Sequence, residues 1–262
     1  MAIGKKIETR GHIVGFREEI AKAAESTDNG FFTWFDHAKD KEDAFARGDW
    51  DFIHHIYRPC VKFITTPENK IALEIGHGGG RILAAACHSF KTVIGIDIHD
   101  NNAKVEDELR KRGITNFRLI KTGGLDIPLE DESVDFIYSF IVLQHVEKYK
   151  IFENYLKESY RLLKTNGIAV LYFGRKYWLS KNRGSRLLYQ IERFAEHLLL
   201  LKGYQELPAR VNSTNLIVSL VHAKALAQSL GFDVLCELVS RKHAPEGIIL
   251  FGGQNGLVIR KR

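Results

Sequence analysis

The chain has 262 residues, 45% of them hydrophobic and 27% charged, with a formal net charge of +6. That length suits one sizeable domain with insertions or two small ones, and the composition is that of an ordinary globular protein. The longest greasy run, "HLLLLKGY", falls far short of the roughly 18 consecutive apolar residues of a membrane span, so no membrane partner is expected.

A charge excess this mild is compatible with an acidic substrate and alone is poor support for nucleic acid. The N-terminus, "MAIGKKIETRGHIVGFREE", is polar and mixed in charge and does not read as a signal peptide. Cys60, Cys87 and Cys236 are odd in number and widely spaced. They fit a reducing compartment better than a disulfide framework, and the chain reads as cytoplasmic.

Taken in chain order, residues 1–66 read as a helical, aromatic-rich extension or cap. "REEIAKAAES" has helical spacing, and "TDNG" breaks it. Four aromatics fall between Phe31 and Phe35, and "WDFIHHIYRPCVKFI" is expected to set Phe52, Ile53, Ile56 and Tyr57 on one helical face. His54 and His55, as helix neighbours, point in different directions and are expected to pack.

From Ile71 strand and helix alternate. "IALEIG" is a first strand, "GGGRILAAACHSF" a helix, "KTVIGIDIH" a second strand and "NAKVEDELRKRG" a helix stopped at Gly113. "NFRLIK" is the third strand, and "VDFIYSFIVL" the fourth, apolar throughout as a central parallel strand should be. "KIFENYLKESYRLLKTNG" is expected to be one amphipathic helix with Gly167 as its C-terminal stop, and "IAVLYFG" the fifth strand. Residues 175–215 then form an insertion with its own helix, "LLYQIERFAEHLLLL", expected to be a lid packed on the core or on a dimer partner. "HAKALAQSLG" is a further helix, and "FDVLCELV" and "GLVIRKR" make seven strands in all. Residues 67–262 are thus expected to be one α/β domain around a mostly parallel seven-stranded sheet.

"LEIGHGGGRIL" gives up four side chains in five positions where the first strand ends. A strand, a Gly-rich turn and a helix make the ligand corner of α/β folds. No Lys-Ser or Lys-Thr follows, which excludes a P-loop. A dinucleotide fingerprint fails because its third glycine would be Arg81 counted from Gly76, or Leu83 counted from Gly78.

What fits is acid-x-G-x-G-x-G, namely Glu74, Gly76, Gly78 and Gly80, which resembles motif I of the class I S-adenosylmethionine-dependent methyltransferases. "VIGIDI" with Asp97, "GGLDIPLEDESVDFIYSFIVLQHV" and "ESYRLLKTNGIAVLYF" resemble further segments of that family in the same order, covering Ile71 to Gly174. The resemblance implies a Rossmann-like doubly wound fold and S-adenosyl-L-methionine as cofactor. It implies glycines lying against the methionine part, Asp97 on the ribose hydroxyls, and Ile98 and His77 as cofactor-side contacts. For adenine, the family's usual acid slot falls on Gly123. Asp126 through a shifted loop, or the backbone near Gly124 and Leu125, could serve instead.

His145, in "VLQHVE", sits where the resemblance places methyl transfer. It is either a general base or substrate contact, or a histidine packing the loop under the cofactor. No Cys/His pair shows ligand spacing, so no metal is expected. Arg175, Lys176, Lys181, Arg183 and Arg186, with Tyr177 and Trp178 among them, could hold a phosphate, a carboxylate or an RNA backbone, or could be a solvated basic loop. Base methylation is disfavoured: no Asn-Pro-Pro-Tyr follows the fourth strand, and Pro59-Cys60 precedes the first. The expected activity is methyl transfer to oxygen or nitrogen of a small-molecule acceptor, anionic if the basic run holds it. An RNA or protein methyltransferase and a cofactor-binding protein without activity remain alternatives, and the failed dinucleotide register argues against an oxidoreductase. The oligomeric state is open.

Overall fold

The computed structural model describes residues 15–123, 126–243 and 249–262. Most of the polar N-terminal stretch, with Gly124 and Leu125 of the adenine expectation, lies outside them. The strands are β1 (Ile71–Ile75), β2 (Thr92–Asp97), β3 (Phe117–Lys121), β4 (Val134–Ser139), β5 (Leu163–Gly174), β6 (Tyr204–Glu206), β7 (Leu216–Val218), β8 (Phe232–His243) and β9 (Ile249–Lys261). The helices are α1 (Phe16–Ser26), α2 (Asp28–Trp34), α3 (Lys41–Asp51), α4 (Arg58–Cys60), α5 (Arg81–Cys87), α6 (Asn102–Lys111), α7 (Tyr149–Leu162), α8 (Arg186–Leu199) and α9 (Leu220–Ser229).

The seven expected strands are β1 to β5, β8 and β9. They lie in the order β3-β2-β1-β4-β5-β9-β8, parallel except for β9, which runs antiparallel to both neighbours. β6 of the insertion and β7 just after it are two further short strands, so the sheet has nine among the described residues. Gly174 pairs with Gln254 of β9 on one edge and with Ile217 of β7 on the other, so β7 occupies the edge of β5 that β4 leaves when it ends at Ser139.

Alternation along each strand sorts the core into two layers. Ala72, Phe136, Tyr138, Val170 and Tyr172 face one side, where Phe31, Phe32, Phe45, Phe52 and Ile56 join α5. Leu73, Ile137, Leu171 and Phe173 face the other, against Phe152, Tyr155 and Leu156 of α7 and Ala223 and Ala227 of α9. The N-terminal helices therefore share the core of the α/β domain. Gly48 makes this possible for α3, because a Cβ there would lie 2.2 Å from the carbonyl oxygen of Arg81.

Three local readings are corrected. The helix before β5 ends at Leu162, where Leu163 turns extended to pair with Val134, so Gly167 is not its C-terminal stop; Asn166, at φ 66°, bends the chain within β5. β4 stops at Ser139, and Ile141 follows at φ 61°. After α3 the chain widens into a π-helical turn, Phe52–Tyr57, which brings His55 inward with Phe52 and Ile56 and leaves Ile53 exposed.

Candidate active site

In the order β3-β2-β1-β4-β5 the connections reverse between β1 and β4, where the loops at the strands' C-terminal ends open a crevice. Gly76, Gly78 and Gly80 all adopt positive φ, from 53° to 79°. A side chain at Gly76 would meet Val142, and one at Gly78 the ring of Phe35. The glycines thus serve both backbone shape and close approach. Gly80 ends the turn facing Val105 and Leu109 of α6, while Gly76, His77, Gly78 and Gly79 line a narrow cavity of about 100 Å³.

Glu74, Asp97, Ile98 and His145 line the same cavity. Asp97 accepts the Gly78 N–H at 2.8 Å through Oδ2 and the Ile98 N–H at 2.7 Å through Oδ1. Burial works against its charge, but His99, His77 and these N–H groups outweigh it and hold the carboxyl below its usual range. A half-buried, ionised acid at the end of β2 suits the ribose hydroxyls of the expected cofactor. Glu74 is paired in register with Tyr138 of β4 and accepts its hydroxyl at 3.1 Å. Burial nonetheless pushes it to about 8, so it is a neutral carboxylic acid at pH 7. His77 is pushed by burial to about 4 and stays neutral, bonded to the Gly78 carbonyl and Asn102.

Burial also lowers His145, against the opposing effect of its bond to Ser213. Its Nδ1 donates to the Ser213 carbonyl at 2.6 Å, which leaves the Nε2 lone pair, 3.2 Å from the Gln144 amide. Asn215 in turn donates to the His145 carbonyl. The Gln144-His145 pair therefore ties the narrow cavity to the insertion. Among the described residues Asp126 does not line the cavity: its side chain is exposed, and its carbonyl accepts from Thr122, which lines the cavity itself.

Sequence reasoning missed several residues. Phe16, Ile20, Trp34 and Phe35 of the N-terminal helices wall the cavity, together with Arg81, Thr122 and Tyr155. His99, two positions beyond Asp97, is buried and donates to the Gly78 carbonyl at 3.0 Å. His77, Asp97 and His99 converge, with ligand-type atoms within 4.8 Å of one another. Their spacing crosses a β-turn-α unit and resembles no metal signature, and both ring nitrogens of each histidine already hydrogen-bond protein partners.

A second cavity, about 1000 Å³, shares Arg81, Phe140, Ile141 and Asn212 with the first. Ile141, β-branched and at positive φ, is a strained residue at their junction. Trp50, Tyr177, Arg47, Lys181, Arg241 and Lys242 are among its lining. Arg81 donates to Asp51 at 2.6 Å and lies 3.5 Å from Asp36. Asp36 Oδ2 is buried in this wall and accepts no hydrogen bond from the described residues, and burial raises the carboxyl more than Arg81 and Arg47 lower it.

Only one of the five cations in the expected basic run faces this cavity. Arg175 is 1% exposed; its guanidinium donates to the Gly252 carbonyl at 2.8 Å, Glu192 at 3.0 Å and Ser180 at 2.9 Å. Lys176 reaches Gln205, Arg183 and Arg186 are exposed, and Lys181 alone lines the cavity, bonded to Tyr177.

The methyltransferase domain family model matches residues 73–171. Demethylmenaquinone methyltransferase of Staphylococcus carnosus (strain TM300) is 33% identical over 121 residues, 45% of this chain and 48% of that protein. The namesake protein of Geobacillus stearothermophilus is 33% identical over 128 residues, 47% of this chain and 53% of the relative. The chain thus spans about half the length of the curated relatives it matches. Among solved structures, a SAM-dependent methyltransferase from Methanosarcina mazei aligns with TM-score 0.54 at 18% identity, over 78% of this chain and 97% of the other. One from Aquifex aeolicus aligns at 0.54 and 15%, over 83% and 97%. The [4+2]-cyclase SpnF aligns at 0.55 and 13%, over 86% and 83%. At these identities the likeness concerns the fold, which hosts more than one reaction.

Proposed function

We propose, from the premise that residues 73–171 are a class I S-adenosylmethionine-dependent methyltransferase domain, that this chain transfers a methyl group to oxygen or nitrogen of a small anionic acceptor. The observation that carries the reading is the pair of adjoining cavities, one walled by Glu74, the glycine turn and Asp97, the other by cations and aromatic rings, with the acids Asp36 and Asp51 beside Arg81. S-adenosylmethionine, bound in the first, supplies an electrophilic methyl on a sulfonium. The donor set fits it: Asp97 for the ribose hydroxyls, backbone of the glycine turn for the methionine part, and Phe16, Trp34 and Phe35 as aromatic cover that a sulfonium cation favours.

The acceptor belongs in the second cavity. Arg47, Lys181, Arg241 and Lys242 favour a carboxylate or phosphate there, and Trp50 and Tyr177 a flat body. Alignment of acceptor atom and methyl supplies most of the acceleration in such displacements. The residues at the junction, Arg81, Phe140, Ile141 and Asn212, set that alignment. His145, neutral and with Nδ1 committed to Ser213, is the proton acceptor of this reading. The relatives' name supports the reaction class.

Calorimetric titration with S-adenosylmethionine, S-adenosylhomocysteine and NAD tests the cofactor half: the first two bind and NAD does not. A screen with methyl-labelled cofactor then compares carboxylate- and phosphate-bearing hydroxyl and amine acceptors with neutral analogues and with RNA. Cofactor binding without transfer to any acceptor would leave a binding protein, and transfer to RNA alone would move the acceptor class.

A further inference from the structure

An amphipathic helix on a globular protein ordinarily turns its apolar stripe to the core. α8 does the reverse. Its inner face is polar: Glu192 is buried against Arg175, Ser180 and the backbone N–H groups of Trp178 and Leu179, and Glu196 is buried against the Lys176 N–H and Asn255. Tyr189 completes that face, stacked on Phe251 and donating to Asn255. Leu187, Ile191, Phe194 and Leu198, at spacings of four, three and four, all point outward, with Leu187 70% and Phe194 67% exposed. Leu199, Leu201 (95% exposed), Trp178 and Leu179 flank the stripe. The expected lid contact with the core is therefore not made by the apolar side of this helix.

On the helix itself Arg193 is paired with Glu237 of β8 at 2.8 Å, and the remaining exposed charges of the segment are cationic. Between Ser180 and Gly203 the acids are Glu192 and Glu196, both turned inward, while Arg183, Arg186 and Lys202 are exposed. An isologous contact between two copies would set this cationic rim against itself, with no exposed acid in the segment to meet it. An anionic lipid surface complements both parts, headgroups meeting the cations and acyl chains the leucines and Phe194.

We propose that the outer face of α8, with Trp178, Leu179 and Leu201, docks the protein peripherally on an anionic lipid bilayer. No helix among the described residues is long and apolar enough to cross a membrane, so the contact lies in the interface plane. Tyr177 and Lys181, which line the larger cavity, belong to the segment leading into α8, so docking at this face bears directly on that cavity. The inference does not depend on the methyl-transfer reading.

Co-sedimentation of the full chain with equimolar phosphatidylglycerol–phosphatidylcholine vesicles, and with phosphatidylcholine alone, tests it. Wild type pellets with the first and far less with the second. Phe194→Asp with Leu198→Asp lowers the bound fraction roughly tenfold or more, since each buried side chain of this size contributes more than a factor of ten. Arg183→Gln with Arg186→Gln and Lys202→Gln lowers it less and removes the salt dependence. Unchanged thermal melting shows that the variants fold. Wild type remaining in the supernatant overturns the proposal. So does wild-type-like binding by the Phe194/Leu198 variant, which would reduce the effect to net charge. A dimer in light scattering that the same variant dissolves, with no vesicle binding, would assign the face to a second copy.

Discussion

The glycine corner after β1 and the insertion after β5 are equally conspicuous in sequence, yet only the first keeps in three dimensions the meaning its residues suggest. Gly76, Gly78 and Asp97 meet at the cavity wall where strand ends and a topological switch point place them. The basic run of the insertion comes apart: Arg175 turns inward to a buried carboxylate, Lys181 faces the larger cavity, and Arg183 and Arg186 face solvent. A backbone motif is fixed by local sterics, whereas a long side chain goes wherever its partner is. Charge density along a chain is therefore poor evidence of charge density on a surface.

The widest separation of the two regions is expected in rate. His145 bridges them, and on its proposed role of proton acceptor, replacement by Ala should lower turnover about 10²–10⁴-fold. Cofactor affinity by calorimetry should move little. An unchanged kcat would leave His145 as the strut holding Ser213 and Asn215. Next in size, Arg175→Met removes the partner of buried Glu192 and should cost about 3–5 kcal/mol in urea unfolding. A loss under 1 kcal/mol would mean that the insertion is fastened elsewhere.

On the cofactor side, Asp97→Ala should weaken S-adenosylhomocysteine binding by about 1.5–3 kcal/mol, the worth of a hydrogen bond to a charged group. Equal affinity would separate Asp97 from the ribose. The smallest effect is a slope. Glu74 keeps its proton in the folded protein up to about pH 8, whereas an unfolded chain releases it near the ordinary 4.5. Between those values the folded state holds the extra proton, so this group's contribution is full at low pH and lost as pH rises toward 8. Glu74→Gln should therefore gain melting temperature relative to wild type as pH is raised from 6 to 8. A constant difference would mean that Glu74 is ionised throughout.

The alternation of apolar strands with amphipathic helices, the glycine turn and the acid ending β2 were legible because each is a short-range consequence of sterics or periodicity. β4 shows the limit: its apolar pattern runs to Leu143, but pairing ends at Ser139, and Ile141 takes a strained turn that only the junction of two cavities explains. The π-helical turn that buries His55 in place of Ile53 leaves no periodic signature.

The sequence by itself determined the α/β class, the strand succession and the glycine corner after β1. Tertiary structure decided that Phe16, Ile20, Trp34 and Phe35 close that corner and that Asp36, Arg47 and Arg241 share a cavity with Lys181. It also decided that α8 turns its leucines outward. Amphipathicity states that a helix has two faces; which of them meets the protein depends on the partners across the gap, and here Arg175, Ser180 and Asn255 claimed the polar one.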